Sequence, residues 1–370
     1  RPLSLHEQVI TLCAVTHKVM LTAEVRQIKE FQMGMLEWFD RKHPELGNEI
    51  EETKVLSDEL ADRIVAAANE FKEAVWQTQE IQSRIKSIKD TRKITNAMYL
   101  ISSTKLKKSR KLLADTEPYF YTLQGVIRRI LRHMEVTEHP FFDMREEIPN
   151  GQRSRGLVVI TGDKGLAGAY NHNILKLAGE WMEESGNNHL YVVGELGRQY
   201  FSARHIPIEE QFHYTVQNPS MHRARMIASR VLQDFMDKRL DEVWVIYTEM
   251  VNSMKMEART EQLLPLKKED FGSLVIPADT HQEEIQMVPS PEAVLDHVVP
   301  NYVTGFVFGA LVESFCSEQN SRMMAMQSAS DNGAKLLNEL AVEYNRVRQA
   351  AITQEITEVI GGARSQRKKR

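Results

Sequence analysis

The sequence predicts an α/β chain in three parts. An all-helical segment comes first, and a long two-helix coiled coil is made from the two ends of the remainder. A sheet-containing domain is inserted between those helices. Three patterns carry this expectation. Residues 1–75 are helix-patterned throughout. Two long stretches, near 78–115 and from Ser290 onward, repeat apolar residues at helical spacing. Between them, 155–266 alternates short apolar runs with helical patterns.

The first segment reads as a small bundle. "AEVRQIKEFQMGMLEWFD" places Val25, Ile28, Phe31, Met35 and Phe39 on one face, "HPELG" punctuates, and "SDELADRIVAAANEF" follows with Leu60, Ile64, Ala68 and Phe71. Ser57 is the expected N-cap of the latter helix. The next helix carries Ile81, Ile85 and Ile88, slips in phase across "DTRK", and resumes with Ile94, Ala97, Met98 and Ile101. Pro118 in "DTEPY" is expected to end it. So narrow a stripe on a long polar helix suits a two-helix coiled coil. The partner is the C-terminal helix, where Leu337, Leu340, Tyr344, Val347 and Ala351 follow a 3-4 seam. An antiparallel pairing is the economical one.

In the middle, "GLVVIT", "HLYVVG" and "DEVWVIYTEM" read as strands, separated by the helices "NHNILKLAGEWMEES" and "SMHRARMIASRVLQDFMDK". Short apolar strands alternating with helices predict a mainly parallel sheet covered on both faces, a Rossmann-like domain. The expected boundaries are 1–76, 77–136, 150–289 and 290–366, with a basic tail at 367–370 that reads as solvated disorder. Residues 267–290 are acidic and Pro-punctuated, a loop or linker.

Composition narrows the function. The chain has 370 residues, 42% hydrophobic, and a net charge of only -4, so it can hold real cores and is no broadly basic nucleic-acid binder. Cys13 and Cys316 stand far apart without metal-ligand spacing, which points to a reducing compartment and against a disulfide framework. In "VVPNYVTGFVFGALVESF" the polar Asn301 and Glu313 and the Pro300 interrupt what would otherwise be an apolar run of about 18 residues, so no membrane span is expected. The chain opens at Arg1 in helix-patterned sequence, as a fragment or a fusion would.

No active site is legible. "VVITGDKGLAGAYNHN" has a glycine-rich turn between strand and helix, but Gly162, Gly165 and Gly168 match neither GxGxxG nor a phosphate loop. A structural turn is the expectation, with no cofactor. "HMEVTEH" shows no metal-ligand spacing and reads as solvated. What stands out is the basic run: residues 82–111 hold ten Lys or Arg against one acid, Asp90. A solvated face rarely omits the acids that would support the helix. Nucleic acid fits poorly, because no aromatics interleave. An acidic protein surface remains, with a free-standing coiled-coil adaptor or nucleic-acid binder as the alternative function.

"IQSRIKSIKDTRKITNAMYLISSTKLKKSR", "GDKGLAGAYN" and "YNRVRQAAITQEITEVIGGARS" resemble the gamma subunit of bacterial F-type ATP synthases over about residues 77–366. The last stretch is the most specific, through Ile352, Thr353, Glu355, Glu358, Gly362, Ala363 and Ser365. The resemblance implies a non-catalytic rotor whose coiled coil turns inside a ring of alpha and beta subunits. Its α/β domain would lie near the epsilon subunit and the membrane c-ring, on the cytoplasmic face of the membrane. It also implies ring contacts at Met98, Lys105, Lys108, Arg348, Gln349 and Thr353. "PLSLHEQVITLCAVTHK" and "EIEETKVLSDELADRIVAAANEFK" resemble instead the C-terminal helical domain of the alpha subunit, without its nucleotide-binding core. Only "EAVWQTQEI", residues 73–81, separates the two, a tether of about 30 Å if extended. A stator domain so tethered would be wound around the axle, so the segment is expected to hang free, to be removed, or to have been made separately.

Overall fold

The computed structural model describes residues 2–23, 25–133, 139–184, 187–212, 216–271 and 287–368. Two compact units divide the chain, Arg1–Ile94 with Ser330–Arg370, and Thr95–Ala329.

In the first unit four helices, α1 (Leu5–Thr16), α2 (Ile28–Lys42), α3 (Pro44–Thr53) and α4 (Asp58–Phe71), enclose a core of Ile10, Phe31, Met35, Phe39, Ile64 and Phe71. Ser4 and Glu7 form a reciprocal capping box on α1, and Ser57 caps α4 by accepting from the Leu60 N–H at 3.2 Å. Val25 and Ile28, expected on the buried face, are 87% and 40% exposed, because α2 starts only at Ile28. "HPELG" does punctuate, but Pro44 also opens α3, its missing N–H costing nothing at a first turn.

The join to the next helix is not a tether. Lys72 N–H donates back to Ala68 and Asn69, and Lys72–Trp76 form one π-helical turn whose ladder Gln77 N–H continues to the Lys72 carbonyl. There α5 (Gln77–His133) begins. It runs straight through Pro118, contrary to the expected stop. The segment beyond the proline is held by packing, with Ile127 and Ile130 fully buried and Phe120 against Phe308, which outweighs one missing backbone bond.

Within this unit α5 meets the end of α9 (Pro291–Lys368). Gln82 Nε2 donates to the Tyr344 hydroxyl at 2.7 Å, and a Cβ on Gly333 would lie 2.9 Å from Arg92 Cγ. Moving up α5 therefore means moving down α9, and the pair is antiparallel. The half-buried seam of Leu337, Leu340, Tyr344, Val347 and Ala351 is the predicted one. Helix extends through 367–368, so the disordered tail expected there is not seen for those two; residues 369–370 lie outside the described residues.

The second unit is built on five strands in the order β3-β2-β1-β4-β5. Strands β1 (Arg155–Ile160), β2 (Asn188–Val193), β3 (Glu210–Phe212) and β4 (Glu242–Met250) are parallel, and β5 (Met256–Leu264) returns antiparallel to β4. Alternate side chains of β1 enter opposite cores. Leu157 and Val159 meet α6 (Tyr170–Glu183) and α7 (Glu195–Ala203), whereas Val158 and Ile160 meet α8 (Met221–Met236), α5 and α9. Both faces are covered, as predicted.

Strands β3 and β5 and helix α7 are absent from the sequence reading. The first is three residues long, and β5, "MEARTEQLL", is a half-exposed edge strand of mostly polar residues. "HMEVTEH" is corrected at its end: His139 is 6% exposed, beside Phe141 and 3.3 Å from Asp296, so it is packed rather than solvated. Residues 134–138 of that stretch, and 272–286 of the acidic one, lie outside the described residues.

The membrane expectation also changes. Pro291–Thr353 contains an 18-residue window of mean hydropathy 1.3, long and apolar enough to cross a membrane by composition, and 61% of it is buried in the protein. Its Val299, Val303, Val307 and Leu311 are core residues, and a core helix passes the same test.

Burial raises the pKa of Glu313 on α9, against a bond accepted from the Met250 N–H. A folded pKa above the unfolded one means that the native state holds the proton more tightly, so stability falls as pH rises through that window. Glu313→Gln is expected to lose less thermal stability than the parent as pH rises above the ordinary carboxylate range. Equal slopes in both proteins, read as melting temperature against pH, would assign the decline elsewhere.

Candidate functional site

The basic helix shows two adjoining faces. Thr95, Ser102, Leu106 and Ser109 are buried, so its inner face consists largely of small polar residues. Met98, Ile101, Lys105, Lys108 and Leu112 follow 3-4 spacing on the other, where Met98 is half-buried and Ile101, Lys105, Lys108 and Leu112 are exposed. The apolar stripe that the sequence offers as a packing surface therefore points mainly outward: Ile94 is 61% exposed and Ile101 56%. Lys107 and Lys111 are exposed as well. Of the basic residues nearer the N-terminus, Arg84 pairs with Glu80 at 2.7 Å and Lys93 with Asp90 at 2.9 Å.

Arg348, Gln349 and Thr353 are all exposed on α9, with the Thr353 hydroxyl donating to the Gln349 carbonyl at 2.8 Å. They belong to the first unit, Met98, Lys105 and Lys108 to the second. Beyond them, Ile352, Ile356, Val359 and Ile360 continue as exposed apolar residues.

The glycine-rich turn is filled by the protein's own groups. Gly162 N–H donates to Asn171 Oδ1 at 2.8 Å, and Asp163 Oδ1 accepts from the Glu195 N–H at 3.0 Å. From α9, Arg322 donates to the Lys164 and Gly165 carbonyls at 3.1 and 3.2 Å while pairing with Glu318 at 2.5 Å. Burial raises the Glu318 pKa, and Arg322 opposes it. A cavity of about 240 Å³ beside the turn is lined by Gly168, Tyr170, Thr248, Met256 and Met324 among others, with no basic residue among the described lining. That is poor chemistry for phosphate. Among the described residues no group of three His, Cys, Asp or Glu is placed to hold a metal. Cys13 and Cys316 are both buried and free, and burial pushes the Cys316 thiol up to about 12.

Sequence reasoning missed the inner face, although Ser and Thr at 95, 102 and 109 recur at helical spacing. It also missed Gly305. A Cβ there would fall inside the Phe120 ring, so only glycine lets α5 and α9 approach so closely in this unit.

The chain has counterparts among known proteins. The family described as ATP synthase matches residues 77–365, and the family described as ATP synthase alpha/beta chain, C terminal domain, matches residues 1–71. The ATP synthase gamma chain of Ruminiclostridium cellulolyticum is 42% identical over 290 residues, covering 77% of this chain and 97% of its own length. The gamma chain of Acetobacterium woodii, described as sodium ion specific, is 37% identical over 298 residues, with 77% and 97% covered. Among solved structures, the central stalk and c-ring of Tetrahymena thermophila mitochondrial ATP synthase gives a TM-score of 0.50 at 25% identity, covering 64% of this chain and 99% of that chain. A Euglena gracilis mitochondrial ATP synthase structure gives 0.54 at 18% identity over 78% and 94%, a likeness of fold.

The family match, the relatives and the fold thus make the chain a subunit of an ATP synthase, a membrane-associated complex. More narrowly, the chain belongs to the ATP synthase gamma chain family, and its function is that of the rotor subunit of the central stalk.

Proposed function

We propose that the chain has no catalytic site of its own and couples ion flow to ATP synthesis by turning within a ring of alpha and beta subunits, on the cytoplasmic face of the membrane. The epsilon subunit and the membrane c-ring are the proposed rotor partners. Met98, Lys105 and Lys108 on α5 and Arg348, Gln349 and Thr353 on α9 are the proposed ring contacts. One observation carries this reading: Met98, Ile101, Lys105, Lys108 and Leu112 form a single, largely exposed face on a long helix.

The physics suits a bearing. Exposed lysines make weak, screened ion pairs that exchange partners as the helix turns, and apolar side chains between them slide without pairing at all. An acidic counter-surface would favour this face over the rest of a slightly acidic molecule. The alternative adaptor or nucleic-acid role would need the same face to bind without alpha and beta subunits.

Reversing the charges in Lys105→Glu with Lys108→Glu is expected to lower ATP-driven ion pumping per ATP hydrolysed by roughly several-fold in assembled complexes, because repulsion replaces the exchangeable pairs. Met98→Lys is expected to act in the same direction, since each new ion pair must break as the rotor turns. Unchanged pumping per ATP in both variants would remove this face from the bearing. Calorimetric titration of the isolated chain with magnesium and ATP is expected to show no tight binding; micromolar binding would overturn the non-catalytic reading.

A further inference from the structure

We infer that the helical domain of residues 2–71 is a rotor part: it turns as one body with α5 and takes no place among stationary subunits. This rests on the reading of the chain as a rotor. It reverses the expectation of a flexible tether, and it concerns a domain outside the span of the gamma-chain relatives, since R. cellulolyticum aligns 97% of its own length with only 77% of this chain.

The join carries the inference. From residue 58 to residue 94, all within the first unit, the backbone is helical without a break, through α4, the π-helical turn Lys72–Trp76 and the first turns of α5. The carbonyls of Ala68, Asn69 and Lys72 all accept from residues across the join, so no free dihedral is left to act as a swivel. Residues 72–81, "KEAVWQTQEI", contain neither Gly nor Pro, so the π-turn is the one helical irregularity in them, and its backbone ladder is closed on both sides.

The domain also grips the helix as it leaves. Trp76 is 6% exposed and belongs to the domain's hydrophobic core, its ring 5.0 Å from Phe31 and edge-on to it. Phe31 in turn packs edge-on against Phe71 at 5.3 Å, so the last residue of α4 and the last of the π-turn hold the same core side chain. Twisting α5 against the domain would have to break helical hydrogen bonds and expose Trp76 together. Torque on α5 is therefore transmitted to the domain.

Two measurements test this on the full chain. Spin labels at Asp62→Cys and Lys86→Cys, both exposed sites, lie 24 residues apart across the π-turn, about 36 Å at most along a straight α-helix. The native Cys13 and Cys316 are buried, which shields them from the label. A narrow distance distribution near that value is expected, and a flexible Gly-Ser insertion between Trp76 and Gln77 is expected to broaden it. A distribution already as broad without the insertion would overturn the inference.

In single assembled complexes hydrolysing ATP, a fluorophore at Asp62→Cys is expected to turn in step with one at Arg225→Cys on the α/β domain. A stationary probe at 62 beside a turning one at 225 would refute the rotor placement of the domain. If neither turns, the rotor reading itself fails and the claim of turning fails with it, while the distance measurement still decides whether domain and helix are one body.

Discussion

Gly305→Val is expected to be among the most destabilising single substitutions in the chain, and Gly305→Ala to be destabilising against its own helix propensity. In an exposed helix interior, Gly to Ala gains about 1 kcal/mol. At 305 the added Cβ would occupy the space of the Phe120 ring, which is held against Phe308 with centroids 6.2 Å apart and lies two residues beyond Pro118. Phe120 is half-buried against the core, so either its ring must leave the Phe308 contact or α5 must move, and overpacking of this kind costs about 1–3 kcal/mol. Packing therefore outweighs propensity. Denaturant midpoints check this, and Phe120→Ala should relieve much of the Gly305→Ala loss when the two are combined. A raised midpoint for Gly305→Ala alone would mean that the helices separate freely there.

The second large effect is expected at Arg145, whose guanidinium is 7% exposed as a whole residue and donates to three acceptors. These are the Leu240 carbonyl at 2.6 Å, Asp241 Oδ1 at 2.7 Å and the Phe235 carbonyl at 2.9 Å, and the group also lies 4.6 Å over the Phe235 ring. The clasp joins the segment after α5 to the turn between α8 and β4. Asp241 further accepts from the Ser154 N–H at 2.8 Å, so it cannot leave with its partner. Arg145→Ala removes the cation paired with the buried Asp241 carboxylate, which keeps the Ser154 N–H, and takes one donor from each of the Leu240 and Phe235 carbonyls, a loss of about 3–5 kcal/mol. Arg145→Lys should recover only part, because one ammonium cannot reproduce a planar fork. Chemical denaturation measures both; a loss under about 1 kcal/mol for Arg145→Ala would mean that water replaces the guanidinium.

Sequence by itself determined the parts and their order. Helical spacing from Leu337 to Ala351 located a seam that the structure half-buries, and apolar strands at 155–160, 188–193 and 242–250 identified a parallel sheet. These signals are strong because each residue's burial repeats with the period of its element. Motifs at the two ends of residues 77–366 were enough to place that stretch in the gamma chain family.

Tertiary structure alone decided what each face touches. Ile94 and Ile101 read as a packing stripe, yet the inner face went to Thr95, Ser102 and Ser109, since small side chains admit a neighbouring helix and hydrophobicity does not report that fit. Pro118 reads as a stop and is traversed because Ile127 and Ile130 beyond it are buried. Likewise "EAVWQTQEI" reads as a linker by its position between two families. It is helix because Trp76 enters the core of one while the backbone ladder runs on into the other, and such a choice depends on contacts distant in sequence rather than on local propensity.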